Sequence, residues 1–178
     1  MRTDDFWAVI EQARAGDDGA APAIAARAAA ELADGEPDQI ADWHRHLGRV
    51  LTASQQADLW GAAYLINGGC SADDFDNFRG WLIAQGRQVF ARAVADPDSL
   101  ADLPAVRQAA TTGEEFGSAD MLEIGQRAYA KATATELPPA VDPAERVESD
   151  DFWDFDDADE VRRRMPRLAE LFGEPPLE

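Results

Sequence analysis

Cysteine and histidine are almost absent from this chain. Its 178 residues hold one Cys, Cys70, and two His, His44 and His46. A single Cys cannot close an internal disulfide, so nothing points to an oxidising compartment. The two His stand two positions apart and so on different faces of a helix, with no CxxC, His pair at i, i+4 or calcium-loop spacing beside them. No metal and no cofactor is therefore expected. Long apolar runs are missing too: none approaches the ~20 residues a membrane-spanning helix needs. The N-terminal stretch MRTDDFWAVIEQAR is acidic and amphipathic, without the apolar core of a signal peptide. The expectation is a cytoplasmic protein that stays off membranes.

Positive charge is the other shortage. The chain has 16 Lys and Arg against 35 Asp and Glu, a net charge of -19. Phosphate contacts need clustered bases, so direct nucleic-acid binding is not expected. Between Asp142 and Glu160 there are ten acids and one base, Arg146. The single basic cluster, Arg162, Arg163, Arg164 and Arg167, follows at once, and neutralising those acids is its simplest use.

What is present is helix-forming sequence. Ala is abundant, β-branched runs are missing, and apolar residues recur at steps of three and four. With 46% hydrophobic residues, the chain can bury a proper core. Thr3 or Asp4 is expected to cap a first helix with Phe6, Val9, Ile10 and Ala13 on one face. An Ala-rich helix follows from about Pro22 to Leu32, and Pro37 opens a third with Ile40, Trp43, Leu47, Val50 and Leu51. Ser54 is expected to cap the next. There Leu59, Ala63 and Ile66 form one stripe and Trp60 with Tyr64 another, so the helix is apolar on most of its circumference and should be buried.

Gly68-Gly69 offers left-handed backbone to end that helix. Ser71, with Asp74 three residues on, reads as a capping box opening the next, which carries Phe75, Phe78, Trp81 and Leu82. Gly86 interrupts, Val89, Phe90, Ala93 and Val94 continue, and Asp96-Pro97-Asp98-Ser99 is a turn. Pro104 opens a short helix to Ala110, and Ser118 caps one carrying Met121, Leu122, Ile124, Ala128 and Tyr129. Thr133 to Ser149 is a Pro-rich surface connection. A final helix over Asp157–Phe172 should be kinked or divided by Pro166.

Candidate chemistry is sparse. Cys70 precedes a helix N-terminus, which favours a thiolate, but no base is placed beside it, so a small buried turn residue is the simpler reading. Asp73, Asp74 and Asp76 are placed as helix N-terminal acids facing the dipole, with Asp76 in reach of Arg79. The polar constellation Asp58, Tyr64, Asn67, Asp74, Arg79, Gln85 and Arg87 brackets apolar helix. Packing leaves Tyr64, Asn67, Asp74 and Arg79 as the candidate binding residues, set against the reading that they form a structural network. The tetrapeptide DDFW occurs at Asp4–Trp7 and again at Asp150–Trp153, which reads as two aromatic anchors entering one core with acids left in water.

The block Asp58–Arg87, with Asp58-Leu59-Trp60, Tyr64 to Ser71, Phe78-Arg79, Trp81-Leu82-Ile83 and Gly86-Arg87, resembles a bacterial family of unknown function. The pieces Ala95–Leu103, Trp153–Asp156 and Arg162–Leu168 fit the same resemblance. It implies a helical domain and brings no activity, cofactor or catalytic residue.

These readings give an all-α, single-domain protein built around the helix–Gly-Gly–helix pair. A helical core covers 1–132, the connection 133–149, and an acidic aromatic segment with the last helix, 150–178, packs on the core. The expected function is a non-catalytic binding or regulatory module for a protein partner, a basic one fitting best. The alternative is an enzyme or small-molecule sensor with a pocket between the central helices. Spare apolar faces leave room for a homo-oligomer.

Overall fold

The computed structural model describes residues 2–16, 19–138 and 152–173. Among them the fold is all-α, with eleven α-helices, one 3₁₀ turn and no strand. The helices are α1 (Thr3–Arg14), α2 (Ala21–Leu32), α3 (Pro37–Ala53), α4 (Ala57–Asn67), α5 (Ala72–Ala84) and α6 (Arg87–Ala95). After the 3₁₀ turn (Pro97–Asp102) come α7 (Pro104–Thr112), α8 (Ala119–Leu122), α9 (Ile124–Thr133), α10 (Ala158–Arg164) and α11 (Pro166–Phe172). Most of the expected connection, and Asp150, Asp151 and the last five residues, lie outside the described residues. No described helix is long and apolar enough to cross a membrane.

Helix ends follow local chemistry, with instructive departures. The first helix begins a residue earlier than its expected caps, so Asp5 closes it by accepting the Arg2 backbone N–H at 2.9 Å. Ser54 ends α3 instead of opening α4, and its hydroxyl donates to the Leu51 carbonyl at 3.0 Å. The turn after Asp96 tightens into 3₁₀ geometry, and the helix expected after Ser118 breaks at Glu123 into α8 and α9. Pro166 divides the last helix in two, because its ring and missing N–H cannot continue α10.

The helices pack as a connected set. α2 lies against α1, α5, α8 and α9, and α9 also packs on α3. α5 touches α1, α2, α4, α6 and α8, and from Phe78 to Ala84 every residue is buried. Phe6 stacks on Trp43 at 4.9 Å between centroids, and Trp7 meets Phe90 at 5.3 Å, joining α1 to α3 and α6. The N-terminus of α6 is held by α1, where Glu11 accepts the Arg87 N–H at 2.9 Å and Asp4 pairs with the Arg87 guanidinium at 2.6 Å.

α4 turns Leu59, Ala62, Ala63 and Ile66 inward, and its main neighbours are α11 and the 3₁₀ turn. Residues 152–157 cross its outer side. The two DDFW copies therefore differ: Phe6 and Trp7 are buried in the helical core, whereas Phe152 is 53% exposed and Trp153 half-buried on α4. The first copy sits on a helix with one inward face, whereas Phe152 and Trp153 of the second run without helix across a surface.

α10 and α11 are fixed more deeply. Val161, Met165 and Leu168 are buried, which contributes roughly 2 kcal/mol apiece. Asp98, 6% exposed in the 3₁₀ turn, accepts the Arg167 N–H at 3.0 Å and the Leu168 N–H at 2.8 Å. It thus caps α11 from a distant part of the chain, satisfying N–H groups the helix itself leaves open. Asp102 beside it pairs with Arg167 and, at 2.5 Å, with Arg92. Asp98→Ala should cost about 2 kcal/mol in urea unfolding, while Asp98→Asn should recover part of that loss.

Candidate functional site

The site is built on the corner between α4 and α5. Gly68 ends α4 in left-handed geometry at φ 68°, and Gly69 follows at φ 136°, backbone that favours glycine. Ser71 and Asp74 then form the expected capping box. Asp74 Oδ2 accepts the Ser71 N–H at 3.0 Å and the Ser71 hydroxyl at 2.6 Å, while Ser71 Oγ accepts the Asp74 N–H at 3.2 Å. Those bonds to the charged form hold the Asp74 carboxyl below its ordinary range. Trp60 ties the corner down by donating its indole N–H to the Cys70 carbonyl at 2.9 Å and stacking on Phe75 at 4.9 Å.

The loop after α7 returns over this corner. Asn67 binds the backbone of Phe116 on both sides: its amide donates to the Phe116 carbonyl at 3.0 Å and its oxygen accepts the Phe116 N–H at 2.9 Å. The Phe116 ring stacks on Trp81 at 4.4 Å, and the Ser118 N–H donates to the Asn77 carbonyl at 2.8 Å. The Ser118 carbonyl comes so near Gly80 that a Cβ there would lie 2.3 Å from it. Between corner and loop lies an open cleft of about 530 Å³, lined by Asn67, Gly68, Gly69, Asp74, Asn77 and Glu115 to Ala119. Its wall is mostly polar and carries two carboxylates, Asp74 and Glu115, with no Lys or Arg.

Of the four candidate residues, Asn67 and Asp74 meet at this cleft, and Tyr64 and Arg79 do not line it. Tyr64 lies on the outer side of α4, where its hydroxyl donates to Asp156 Oδ1 at 2.9 Å. That bond, and the Asp156 charge, raise its pKa. Arg79 turns inward and is 3% exposed. It pairs with Asp76, donates to the Leu51 carbonyl and lies 4.5 Å from the Phe75 ring centre. Burial draws its pKa down and Asp76 opposes that. Its Nε has no hydrogen-bond partner.

Burial pushes the Cys70 thiol up to about 12, with the Asp74 charge adding to the effect. His44 and His46 stand on α3, and burial holds both below the ordinary imidazole value. His44 is pressed against Gly125 of α9, where a Cβ would lie 2.7 Å from its Nδ1. Among the described residues no group of three His, Cys, Asp or Glu is placed to hold a metal ion.

Residues 1–131 match the family described as protein of unknown function (DUF4240). The chain belongs to the DUF4240 family. No curated protein and no solved structure matches it. The match contains α1 to most of α9, and therefore the whole cleft, but stops before the Trp153–Asp156 and Arg162–Leu168 pieces of the resemblance.

Within the DUF4240 domain, Asn77, Glu115 and Gly117 are cleft residues that sequence reading missed. Ser118 was legible as a helix cap, and it does accept the Met121 N–H at 3.4 Å. Nothing in the spacing announced that the loop before it folds back onto Asn67. Two outcomes follow from the geometry. Asn67→Ala strips the Phe116 backbone of both partners and should cost about 2 kcal/mol, with Asn67→Asp intermediate, read by urea unfolding. Folded Cys70 should react with a disulfide reagent at pH 8 roughly a hundredfold or more slower than a free cysteine, and about tenfold faster per pH unit toward pH 12.

Proposed function

We propose that the protein is a non-catalytic binding or regulatory module for a basic protein partner, and that the Asn67–Asp74–Glu115 cleft receives a Lys or Arg side chain of that partner. The helical core is the binding body on this reading, with the described residues 152–173 packed on it. The observation that carries it is the meeting of Asn67, Asp74 and Glu115 in one open cleft whose lining holds no base. A net charge of -19 would steer a basic partner toward it.

The state of the polar side chains supports a binding role over chemistry. Asp74 is engaged with Ser71, Arg79 is turned into the interior, and Cys70 is held as a neutral thiol. The alternative, a small-molecule sensor, draws on the same cleft, whose volume of about 530 Å³ suits a small ligand. Ligand pockets are mostly apolar, and this lining is not, which favours a cationic group carried by a protein.

A short oligo-arginine peptide, followed by fluorescence anisotropy at low salt, tests the proposal. Glu115→Lys should weaken binding about tenfold, while Asp34→Lys, the same charge change beyond the end of α2, should weaken it less than about twofold. Equal losses in the two variants would mean attraction to total charge alone and would end the proposal, as would no binding at all.

A further inference from the structure

We infer that the outer face of α4 is a peptide-recognition groove, filled in this structure by the chain's own residues 152–157, and that the partner it fits is another protein's segment of the same aromatic–Trp–Asp–aromatic–Asp chemistry. This goes beyond the cleft and does not depend on it.

The groove is shaped for an indole. Gly61 lies under Trp153, and a Cβ at Gly61 would stand 2.6 Å from Trp153 Cζ2 and 3.2 Å from Phe155 Cδ1. Glycine inside a helix weakens it relative to alanine, so a glycine under a close-packed ring points to the ring as its reason. Asp58, one turn before it, accepts the Trp153 indole N–H at 2.9 Å. Arg164 donates to the same carboxylate oxygen at 2.8 Å and lies 5.1 Å from the indole centre, so the ring is held between cation and helix. Trp60 meets the edge of Phe152 at 5.1 Å, and Tyr64 meets Phe155 at 5.6 Å while its hydroxyl binds Asp156. One helix face thus supplies an indole notch, an acceptor for its N–H, a flanking ring on each side and a donor for the following acid. That combination recognises a sequence and not merely an apolar surface.

Four observations make the occupant exchangeable. Residues 152–157 contain no helix, and their polar bonds are exposed or half-buried. Deep anchoring is left to α10 and α11 through Val161, Met165 and Leu168, so the strap can lift while they stay. The filler also fits imperfectly, since Phe152 remains 53% exposed. Finally, Asp58, Trp60, Gly61 and Tyr64 lie within the residues matched to the family, and the filler lies beyond them. A second copy offers the identical segment and gains nothing over the tethered one, which acts at high effective concentration. A partner segment with contacts of its own can win the groove.

The test uses the full-length chain and a labelled synthetic peptide with the sequence of residues 149–157, followed by anisotropy. Trp153→Ala empties the notch without touching groove residues, and it should bind the peptide at least about tenfold more tightly than the wild-type chain, whose own strap competes. Adding Gly61→Leu should abolish that binding, and a peptide with its Trp replaced by Ala should not bind Trp153→Ala. Should the double variant fail to fold, Trp153→Ala with Tyr64→Phe replaces it and should lose severalfold in affinity. Equal affinity for wild type and Trp153→Ala, no binding to Trp153→Ala, or indifference to the notch and to the peptide's Trp would each overturn the inference. So would a wild-type dimer that Trp153→Ala disperses, which would give the groove to a second copy.

Discussion

The rest of the molecule depends on one constraint: α4 has no side it can leave to water. Leu59, Ala62, Ala63 and Ile66 face the core, while Trp60 and Tyr64 place aromatic surface on the opposite side. The first face is covered by neighbouring helices and the 3₁₀ turn. The second must be covered by something else, because exposed aromatic area is costly. Residues 152–157 do this. The chain therefore has to return to α4 after α9, and Asp98 and Asp102 in the 3₁₀ turn fix where it returns by holding the start of α11. Asp58 then serves two ends at once, taking the Trp153 N–H and the Arg164 guanidinium.

Glycine marks the close approaches that make this packing work. Gly61 admits the Trp153 ring, Gly80 admits the Ser118 carbonyl and Gly125 admits the His44 ring. At each, an added methyl group would collide with a neighbour the chain brings back from far along the sequence. The last two lie at the loop over the cleft and at the seam of α3 with α9. The cleft is thus a by-product of tight packing around it: α5 and the loop touch at Gly80, Asn67 clamps Phe116, and the space between the two contacts stays open.

The features legible in the sequence were those set by near neighbours. The capping box at Ser71 and Asp74, the left-handed Gly68, the division at Pro166 and the Asp76–Arg79 pair all act within four residues, so spacing alone revealed them. Ser54 was misread because a serine can serve either end of a helix, and only the next turn decides which. The break at Glu123 left no composition signal at all. The candidate site divided along the same line. Asn67 and Asp74 flank the Gly-Gly corner and stay together. Tyr64 and Arg79 were separated by where distant segments lie: Asp156 draws Tyr64 to the outer face, and the Leu51 carbonyl with Asp76 holds Arg79 inside. Glu115 and Gly117 reach the cleft through Phe116 stacking on Trp81, a contact across 35 positions that no periodicity reports.

The basic cluster near the C-terminus pairs with the chain's own acids. Arg162 pairs with Asp159 at 3.0 Å, Arg163 with Glu160 at 2.5 Å, Arg164 with Asp58 and Glu160, and Arg167 with Asp102. Two of the four, Arg164 and Arg167, are spent holding α10 and α11 to the body, and the other two offset acids one turn away. Exposed pairs of this kind contribute little stability each. Their joint effect is to let an acidic segment lie on an acidic protein without driving itself off. Among the described residues no arginine pairs with Asp154, Asp156 or Asp157 of the strap: Asp156 accepts from the Tyr64 hydroxyl, Asp154 accepts the Asp156 N–H, and Asp157 caps α10. Anchorage is thereby divided between two adjoining stretches: the arginines and the buried Val161, Met165 and Leu168 keep the helices in place, and Trp153 and Asp156 hold the strap through Asp58 and Tyr64.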